Sequence, residues 1–313
     1  MDRRVTGMCR AGLLAMMLAS MPARAQAPSH LIAADNLTRV STHVWMIPGF
    51  PNIGFVVGAT GTLVIDTGLG AQNGRIVAAA ARKLSPNGQK LYLTTTHYHT
   101  EHASGDIGFP PGTIEIRPRA QQIEMDTEEP KQVAINRSRS QADRALLEGF
   151  RVRQAQVQFD RTYTLNLGGG VTVRLSWFGA AHTKGDELIM VEPDSVLFSG
   201  DVVQNRMGPN FFICTDCTPR KWLAVLEQVA KNLKPRIIVP DHSGPGDISL
   251  IARERDFLKD LQSRSMALRA QGKTAEDAGK IVAAEFRAKY PDWGGMNNIA
   301  LAVRQAYADP GPP

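Results

Sequence analysis

The chain is 313 residues long, 43% of them hydrophobic, and carries a formal net charge of +6 at pH 7. This length allows a sizeable buried core, either as one large α/β domain or as two modest domains. No run of Lys and Arg and no alternation of aromatic with basic residues occurs, so the composition argues against a nucleic-acid-binding protein.

The N-terminus has the three parts of a secretory signal peptide. Basic residues within MDRRVTGMCR precede a short apolar run, AGLLAMMLASM, and an Ala-Arg-Ala motif ends at Ala25. This order predicts a signal peptide over residues 1–25 and a periplasmic or secreted mature chain. The apolar run is shorter than the ~20 residues that span a bilayer, so we expect no stable membrane anchor. Cleavage removes four basic residues and one acidic residue, which lowers the formal net charge from +6 to +3.

The first half of the mature chain alternates short β-like runs with turns. Strands are predicted at 43–49, 53–59 and 62–68, a helix at 71–84, and a buried strand at 91–96. Residues 117–129 and 131–150 have helical, charged patterns. Strands resume at 157–159, 162–167, 171–179, 187–192 and 195–201, and the GGG at 168–170 is predicted to be a hairpin turn.

The second half repeats an arrangement seen before residue 90. A helix at 219–233 follows two strands, as the helix at 71–84 does, and a further strand is predicted at 236–242. Two strand–strand–helix units predict two stacked sheets flanked by helices, an αββα sandwich of the α/β class over residues 26–246. Residues 247–313 are predicted to form a C-terminal helical extension of three amphipathic helices that packs on this domain.

Two cysteines, Cys214 and Cys217, remain in the mature chain within ICTDCTP. In an oxidising compartment a local disulfide is the favoured interpretation. A redox pair or a metal-binding role stays as the alternative, although no thioredoxin-type βαβ unit surrounds the motif.

The segment TTTHYHTEHASGD, residues 94–106, holds three of the seven histidines of the chain. His97 and His99 project to the same side of an extended segment, and Glu101 and His102 follow where the chain turns. His30 and His43 lie in ordinary surroundings and are not expected to bind metal. Imidazole nitrogens and carboxylate oxygens are the zinc ligands that remain when thiols are absent.

Further candidate ligands follow other predicted strands: His182 in AAHTKGD, Asp201 in VLFSGD and His242 in VPDHSGPGD. Together with the cluster they make five imidazoles and two carboxylates, more than one tetrahedral ion can use. We therefore expect two metal ions that share a bridging carboxylate.

These residues resemble the fingerprint of the metallo-β-lactamase-fold hydrolases, which reads H-x-H-x-D-H, then a distant His, a Gly-Asp pair and a final His-containing turn. The similarity covers about residues 40–246. It implies an αββα sandwich with the metals at one edge between the sheets. The metal ligands that it implies are His97, His99, Glu101, His102, His182, Asp201 and His242. It also implies that Asp66, in VIDTG, orients a ligand without touching metal.

Two residues show which members of the family the chain resembles and where it departs from the family motif. The bridging aspartate, Asp201, is typical of glyoxalase II, lactonases and related esterases, whereas β-lactamases of the superfamily usually have Cys or Ser there. Glu101 departs from the family, which has aspartate at that place, so the second metal site is expected to have altered geometry. The export signal and the helical C-terminus are similar to those of periplasmic hydrolases of this fold.

The leading hypothesis is hydrolysis of a small-molecule ester, lactone or thioester by water activated at a zinc pair, with Glu101 handling protons. β-Lactam hydrolysis is the alternative within this class. Two alternatives of other classes stay open: a mononuclear iron persulfide dioxygenase and a non-catalytic metal-binding protein. Trp177, Phe211 and Phe212 are candidates either for the walls of the substrate pocket or for the core.

Overall fold

The computed structural model describes residues 30–211, 214 and 216–309. The predicted signal peptide, residues 1–25, lies outside the described residues, and so does Phe212. Within these described ranges, no helix has both the length and the apolar character needed to cross a membrane.

The first sheet follows the order of the chain. Its strands are β1 (Thr38–Arg39), β2 (Val44–Ile47), β3 (Ile53–Val57), β4 (Gly61–Ile65), β5 (Lys90–Thr94), β6 (Ile114–Pro118) and β7 (Val157–Phe159). Strands β1 to β4 pair antiparallel, and β4 to β7 pair parallel. The change to parallel pairing brings the carboxyl ends of β4 and β5 to the same edge.

The second sheet has the order β12-β11-β10-β9-β8. Its strands are β8 (Thr162–Gly168), β9 (Val171–Ser176), β10 (Leu188–Glu192), β11 (Val196–Gly200) and β12 (Ile237–Pro240). The predicted turn at 168–170 joins β8 to β9 antiparallel, and all three glycines have positive φ. Only β11 and β12 of this sheet pair parallel, so their carboxyl ends also share an edge.

Helices cover the outer faces of both sheets. Their bounds are α1 (Gly70–Leu84), α2 (Thr100–Ala103), α3 (Arg119–Thr127), α4 (Glu129–Arg139), α5 (Gln141–Leu146), α6 (Pro219–Asn232), α7 (Ser249–Ala270), α8 (Ala275–Lys289) and α9 (Ile299–Ala308). Short 3-10 turns lie at Ala34–Asn36, Pro86–Gly88, Asp106–Gly108 and Met296–Asn298.

The alternation of buried side chains along the strands produces four layers. On β4, Leu63 and Ile65 pack between the sheets, whereas Val64 packs against α1. On β11, Phe198 points into the layer between the sheets and Leu197 packs with α6 and the C-terminal helices. This period of two is that of strands buried on both faces, and the predicted αββα sandwich is confirmed.

The three predicted C-terminal helices are present as α7, α8 and α9. Their apolar residues join α6 and the outer face of the second sheet in one buried cluster, with Leu258, Phe286 and Val303 among its members. The domain boundary at residue 246 stays a prediction, because the cluster is continuous across it. The disulfide between Cys214 and Cys217 is present, which confirms the favoured interpretation of that motif.

One predicted boundary is wrong. The sequence pattern predicts a helix from residue 117, but residues 117 and 118 end β6, a strand that the pattern does not reveal. The buried side chains of Glu115 and Arg117 pair with each other on this strand. A central strand with two charged residues lacks the apolar run by which a buried parallel strand is recognised.

Candidate metal centre

The ends of four strands meet at one edge of the sandwich. Asp66 follows β4, the histidine cluster follows β5, Asp201 follows β11 and His242 follows β12. Gly200 permits the turn into Asp201, because it has a φ of +57° and a Cβ there would lie 3.0 Å from the Cβ of Thr96. Parallel pairing within each sheet therefore places residues distant in sequence side by side.

One group of candidate ligands comprises His97, His99 and His182. The potential ligand atoms of these three buried histidines all lie within 4.8 Å of one another. His99 Nδ1 is 3.1 Å from His182 Nε2. Three imidazole nitrogens that converge in this way can hold one face of a tetrahedral ion.

A second group comprises Glu101, His102 and His242, again with ligand atoms within 4.8 Å of one another. His102 Nε2 is 3.2 Å from His242 Nε2. Helix α2 places Glu101 and His102 next to each other, and the Glu101 carboxylate reaches the group despite its additional methylene.

Asp201 lies between the two groups. Its Oδ2 is 3.3 Å from His182 Nε2, and its Oδ1 is 3.4 Å from His242 Nε2. One carboxylate with an oxygen towards each group has the arrangement of a bridging ligand.

Hydrogen bonds on the far side of the rings fix which nitrogen faces the centre. His182 Nδ1 donates to the carbonyl oxygen of Asn210 over 2.6 Å, which leaves the Nε2 lone pair directed inwards. His97 Nδ1 lies 3.2 Å from the hydroxyl of Thr96, and its buried Nε2 has no hydrogen-bond partner among the described residues. Such inward lone pairs are what a metal ligand requires.

Two buried acids support His102. Its Nδ1 lies 3.0 Å from Asp66 Oδ2 and 3.2 Å from Asp241 Oδ2. Asp66 also accepts the backbone N–H of Thr96 over 2.7 Å, and the Thr96 hydroxyl donates to Asp241 over 2.7 Å. Asp66 therefore has the orienting position expected for it, and Asp241 orients His102 in the same way. Asp241 was not predicted from the sequence, although it directly precedes the candidate ligand His242 at the end of β12.

Burial keeps most of the imidazoles neutral. It lowers the pKa of His97 and His99, with a further contribution from the neighbouring histidines, and it lowers the pKa of His242 to about 4. Burial also acts to lower the pKa of His102, but the carboxylates of Asp66 and Asp241 outweigh it and raise that pKa. Burial raises the pKa of Asp201 to about 6.

The donor set fits divalent metal. Two groups of nitrogen and oxygen donors lie close together, with a carboxylate between them. Several of their buried nitrogens have no hydrogen-bond partner in the part of the chain that the structure describes. This arrangement is unfavourable unless a cation binds the donors. His30 and His43 take no part in either group, since their Nδ1 atoms pair with Asp143 and Asp194. The structure therefore contains His/Asp groups that can bind metal, as the sequence predicts.

A pocket of about 260 Å³ opens onto this centre. Its lining residues are Phe50, His99, Glu101, Gln132, Arg139, Asn210 and Asn298. Neither Trp177 nor Phe211 lines it: Phe211 is buried against Trp222 at a ring-centroid distance of 5.0 Å, and the indole of Trp177 donates to the carbonyl of Lys184.

Phe50 and Arg139 were missed by the sequence analysis. Phe50 is 53% exposed, and its ring lies 4.2 Å from that of His242. Both residues come from segments outside the metal motifs, so no pattern in the sequence marked them.

The αββα sandwich, with His/Asp groups that can bind metal at one edge of its sheets, defines the structural class. The family model of the metallo-beta-lactamase superfamily matches residues 46–242. The match spans more than half of the chain, so the protein belongs to the metallo-beta-lactamase superfamily. No curated protein matches the chain in sequence.

Solved structures share the fold. The inverting sec-alkylsulfatase Pisa1 from Pseudomonas sp. matches 88% of this chain with a TM-score of 0.68 and 16% identity, and this chain spans 52% of its length. A metallo-beta-lactamase from Pontibacter korlensis matches 72% of this chain and 98% of its own, with a TM-score of 0.54 and 19% identity. The DIM-1 metallo-beta-lactamase has a TM-score of 0.56, 15% identity, and coverage of 74% and 99%. At these identities the similarity establishes the fold alone.

Proposed function

We propose that the protein is a dinuclear zinc hydrolase that cleaves a small-molecule ester, lactone or thioester. The observation that carries the proposal is the pair of ligand groups with Asp201 between them. Membership of a hydrolase superfamily supports the reaction class. When bound, zinc lowers the pKa of water from 15.7 to about 7 and polarises a carbonyl.

Each residue of the centre has its own role. His97, His99 and His182 would hold the first ion, and Glu101, His102 and His242 would hold the second. Asp201, with one oxygen towards each group, would be the ligand that the two sites share. Asp66 and Asp241 keep the proton of His102 on Nδ1, so that its Nε2 stays available as a ligand.

Glu101 has a further role, because it both belongs to the second group and lines the pocket. Its carboxylate would accept a proton from the attacking water and deliver it to the leaving oxygen or sulfur. The Phe50 ring also lines the pocket, next to the ring of His242, and offers apolar contact to the substrate.

The test combines metal quantification with a substrate panel on protein purified without added metal. We expect about two equivalents of zinc, hydrolysis of at least one ester, lactone or thioester, and loss of activity on chelation. The panel also contains a β-lactam and a secondary alkyl sulfate, because enzymes named for those substrates share the fold.

Variants connect the activity to the centre. His97→Ala and His182→Ala should each lose about one equivalent of metal, whereas His43→Ala, which changes a histidine outside the centre, should keep both. Full metal content in the first two variants would contradict the ligand assignment.

Two results would favour the rival functions. One equivalent of iron, together with oxygen consumption in the presence of a persulfide, would indicate a dioxygenase and not a hydrolase. Two equivalents of zinc without activity on any substrate, combined with activity created by Glu101→Asp, would indicate a non-catalytic metal-binding protein.

A further inference from the structure

Helix α4 contributes two residues to the lining of the pocket, Gln132 and Arg139, and is hydrogen-bonded directly to the helix that carries Glu101. Gln132 Oε1 accepts hydrogen bonds from the backbone N–H and the hydroxyl of Thr100, over 2.7 and 2.8 Å. Asn136 Nδ2 donates to the same hydroxyl over 2.7 Å. Gln132 and Asn136 are both buried, so these contacts hold α4 in a defined position against α2.

Arg139 lies on the same face of α4 as this pair of amides. The spacing of Gln132, Asn136 and Arg139 is i, i+4 and i+7, which aligns their side chains along one side of a helix. Because Gln132 and Asn136 are anchored, the backbone position of Arg139 is defined. The side chain of Arg139 lines the pocket together with His99 and Glu101. The position of this cation is a consequence of the same contacts that position α2.

Among the described residues, no carboxylate forms an ion pair with Arg139, and Glu101 in the same pocket is no exception. Arg137 on the same helix differs, because its guanidinium donates to the carbonyl of Leu147 over 2.6 Å.

We propose that Arg139 is a specificity-determining residue that binds an oxyanion carried by the substrate at a distance from the bond that is cleaved. This inference rests on the proposed hydrolase function and names its substrate class, an ester with a second, negatively charged group. A guanidinium is charged at every physiological pH and presents paired donors that match the oxygens of a carboxylate or sulfonate. The amide side chains of Gln132 and Asn298 line the same pocket and suit a polar substrate end.

The kinetic test uses esters matched in length. The 4-nitrophenyl half-ester of adipate ends in a carboxylate, the 4-nitrophenyl ester of 5-sulfopentanoate ends in a sulfonate, and 4-nitrophenyl hexanoate is neutral. We expect the KM of wild-type protein for the better anionic ester to be about tenfold below that for hexanoate. The preferred anionic ester identifies the oxyanion.

Substitutions locate the effect. Arg139→Gln should raise KM for the anionic ester about tenfold at nearly unchanged kcat, since the contact is the same in the ground state and the transition state. It should leave hexanoate unaffected, and Arg139→Lys should give an intermediate KM. The control is Arg75→Gln, which removes an equal charge from an exposed position of α1 outside the pocket and should change nothing.

A binding measurement separates this inference from the hydrolase proposal. Calorimetry with the anilide of adipic acid that retains one carboxylate, and with neutral hexananilide, does not depend on turnover. Tighter binding of the anionic anilide that Arg139→Gln abolishes supports the inference even if no ester is hydrolysed. Equal binding of both anilides, or equal KM values with and without Arg139, would overturn it while leaving the hydrolase proposal intact.

Discussion

Position 101 carries a carboxylate one methylene longer than the aspartate of the family motif. The structure shows that this side chain still reaches the ligand atoms of His102 and His242, within 4.8 Å, while it lines the pocket. Glu101 lies on the short helix α2, whose start is held by Gln132 through Thr100. A contact outside the motif therefore helps to position this carboxylate.

Replacing Glu101 should therefore affect one metal ion more than the other. Glu101→Gln removes the charge at constant size, and we expect the affinity of the second ion to fall by about 100-fold while the first is retained, because ligands of the first ion are unchanged. Metal content after dialysis against graded chelator measures both affinities. Equal retention of the two ions would show that Glu101 is no ligand, and Glu148→Gln, at an exposed position, serves as the control.

Asp241 acts on the centre through His102. Asp241→Asn replaces a carboxylate, which accepts from His102 Nδ1, with an amide that can present a donor to the same nitrogen. The proton of His102 is then no longer held on Nδ1, and Nε2 is less available as a ligand. We expect metal affinity to fall about 10- to 100-fold. Competition with a chromogenic chelator measures the change. An affinity equal to that of Asp160→Asn, a substitution at a side chain that is 79% exposed, would contradict the orienting role.

At the scale of single residues, the sequence predicts the members of the centre where metal-ligating residue types recur at the ends of strand-like runs. The five histidines of the centre and Asp201 could be predicted because they follow strand-like runs, and Asp66 was implied by the family resemblance; the structure brings these side chains together. Asp241, Phe50 and Arg139 could not be predicted, since their proximity to the centre depends on how separate segments pack.

The bounds of a helix or strand could be predicted from the sequence where its hydrophobic residues recur with a regular period. Helix α6 and the strands β4 and β11 lie within a few residues of their predicted bounds, and the C-terminal region contains the three helices that its pattern predicts. Strand β6 was missed because its charged side chains, Glu115 and Arg117, are buried as a pair. That exception depends on a tertiary contact that no local pattern contains.

The C-terminal helices pack in the same hydrophobic core as the second sheet of the sandwich. A single core substitution in these helices should therefore lower the free energy of unfolding by a large amount. Phe257 on α7 is 1% exposed and lies 5.0 Å from Phe286 and 5.2 Å from Trp293, measured between ring centroids. Phe257→Ala should lower the free energy of unfolding by about 3–5 kcal/mol in urea titrations. The control, Ile248→Ala, changes a residue that is 48% exposed and should cost less than about 0.5 kcal/mol. A loss below about 1 kcal/mol for Phe257→Ala would mean that α7 adds little to the core.

Helix α7 also contributes a buried carboxyl group, and this predicts a dependence of stability on pH. Burial raises the pKa of Glu254 to about 8 although the backbone N–H of Gln204 hydrogen-bonds to it. Between the ordinary glutamate pKa of 4.5 and about 8, the folded chain holds a proton that the unfolded chain has released, so stability falls as pH rises through this window.

Glu254→Gln should remove that dependence. Relative to the variant, the wild-type protein should lose up to about 1.4 kcal/mol of unfolding free energy for each pH unit between about 5 and 8. Urea titrations at several pH values measure the difference, and the exposed Glu148→Gln should keep the wild-type slope. Parallel curves for wild type and Glu254→Gln would show that the carboxyl is ionised in the folded protein.

On the scale of the whole molecule, the metal centre joins parts of the chain that the sandwich leaves separate. His102 follows a strand of the first sheet and His242 a strand of the second, 140 residues later. The sheets also contact each other here through the backbone, since Glu187 N–H donates to Thr96 over 2.7 Å and Asn52 N–H donates to Asp241 over 2.7 Å. A metal pair bound at this edge would add a connection between the sheets that the unfolded chain cannot form.

Removal of metal should consequently destabilise the entire fold. A ligand present at about 1,000 times its Kd stabilises the folded state by about 4 kcal/mol, which for a chain of this size corresponds to a Tm difference of about 6 °C. We expect calorimetric scans of chelator-treated protein to show this decrease and re-addition of zinc to reverse it. His97→Ala, with one ligand group incomplete, should respond less to the chelator than the wild type. If metal-free and zinc-loaded wild-type protein unfold at the same temperature, the converging donors do not bind zinc in the folded state.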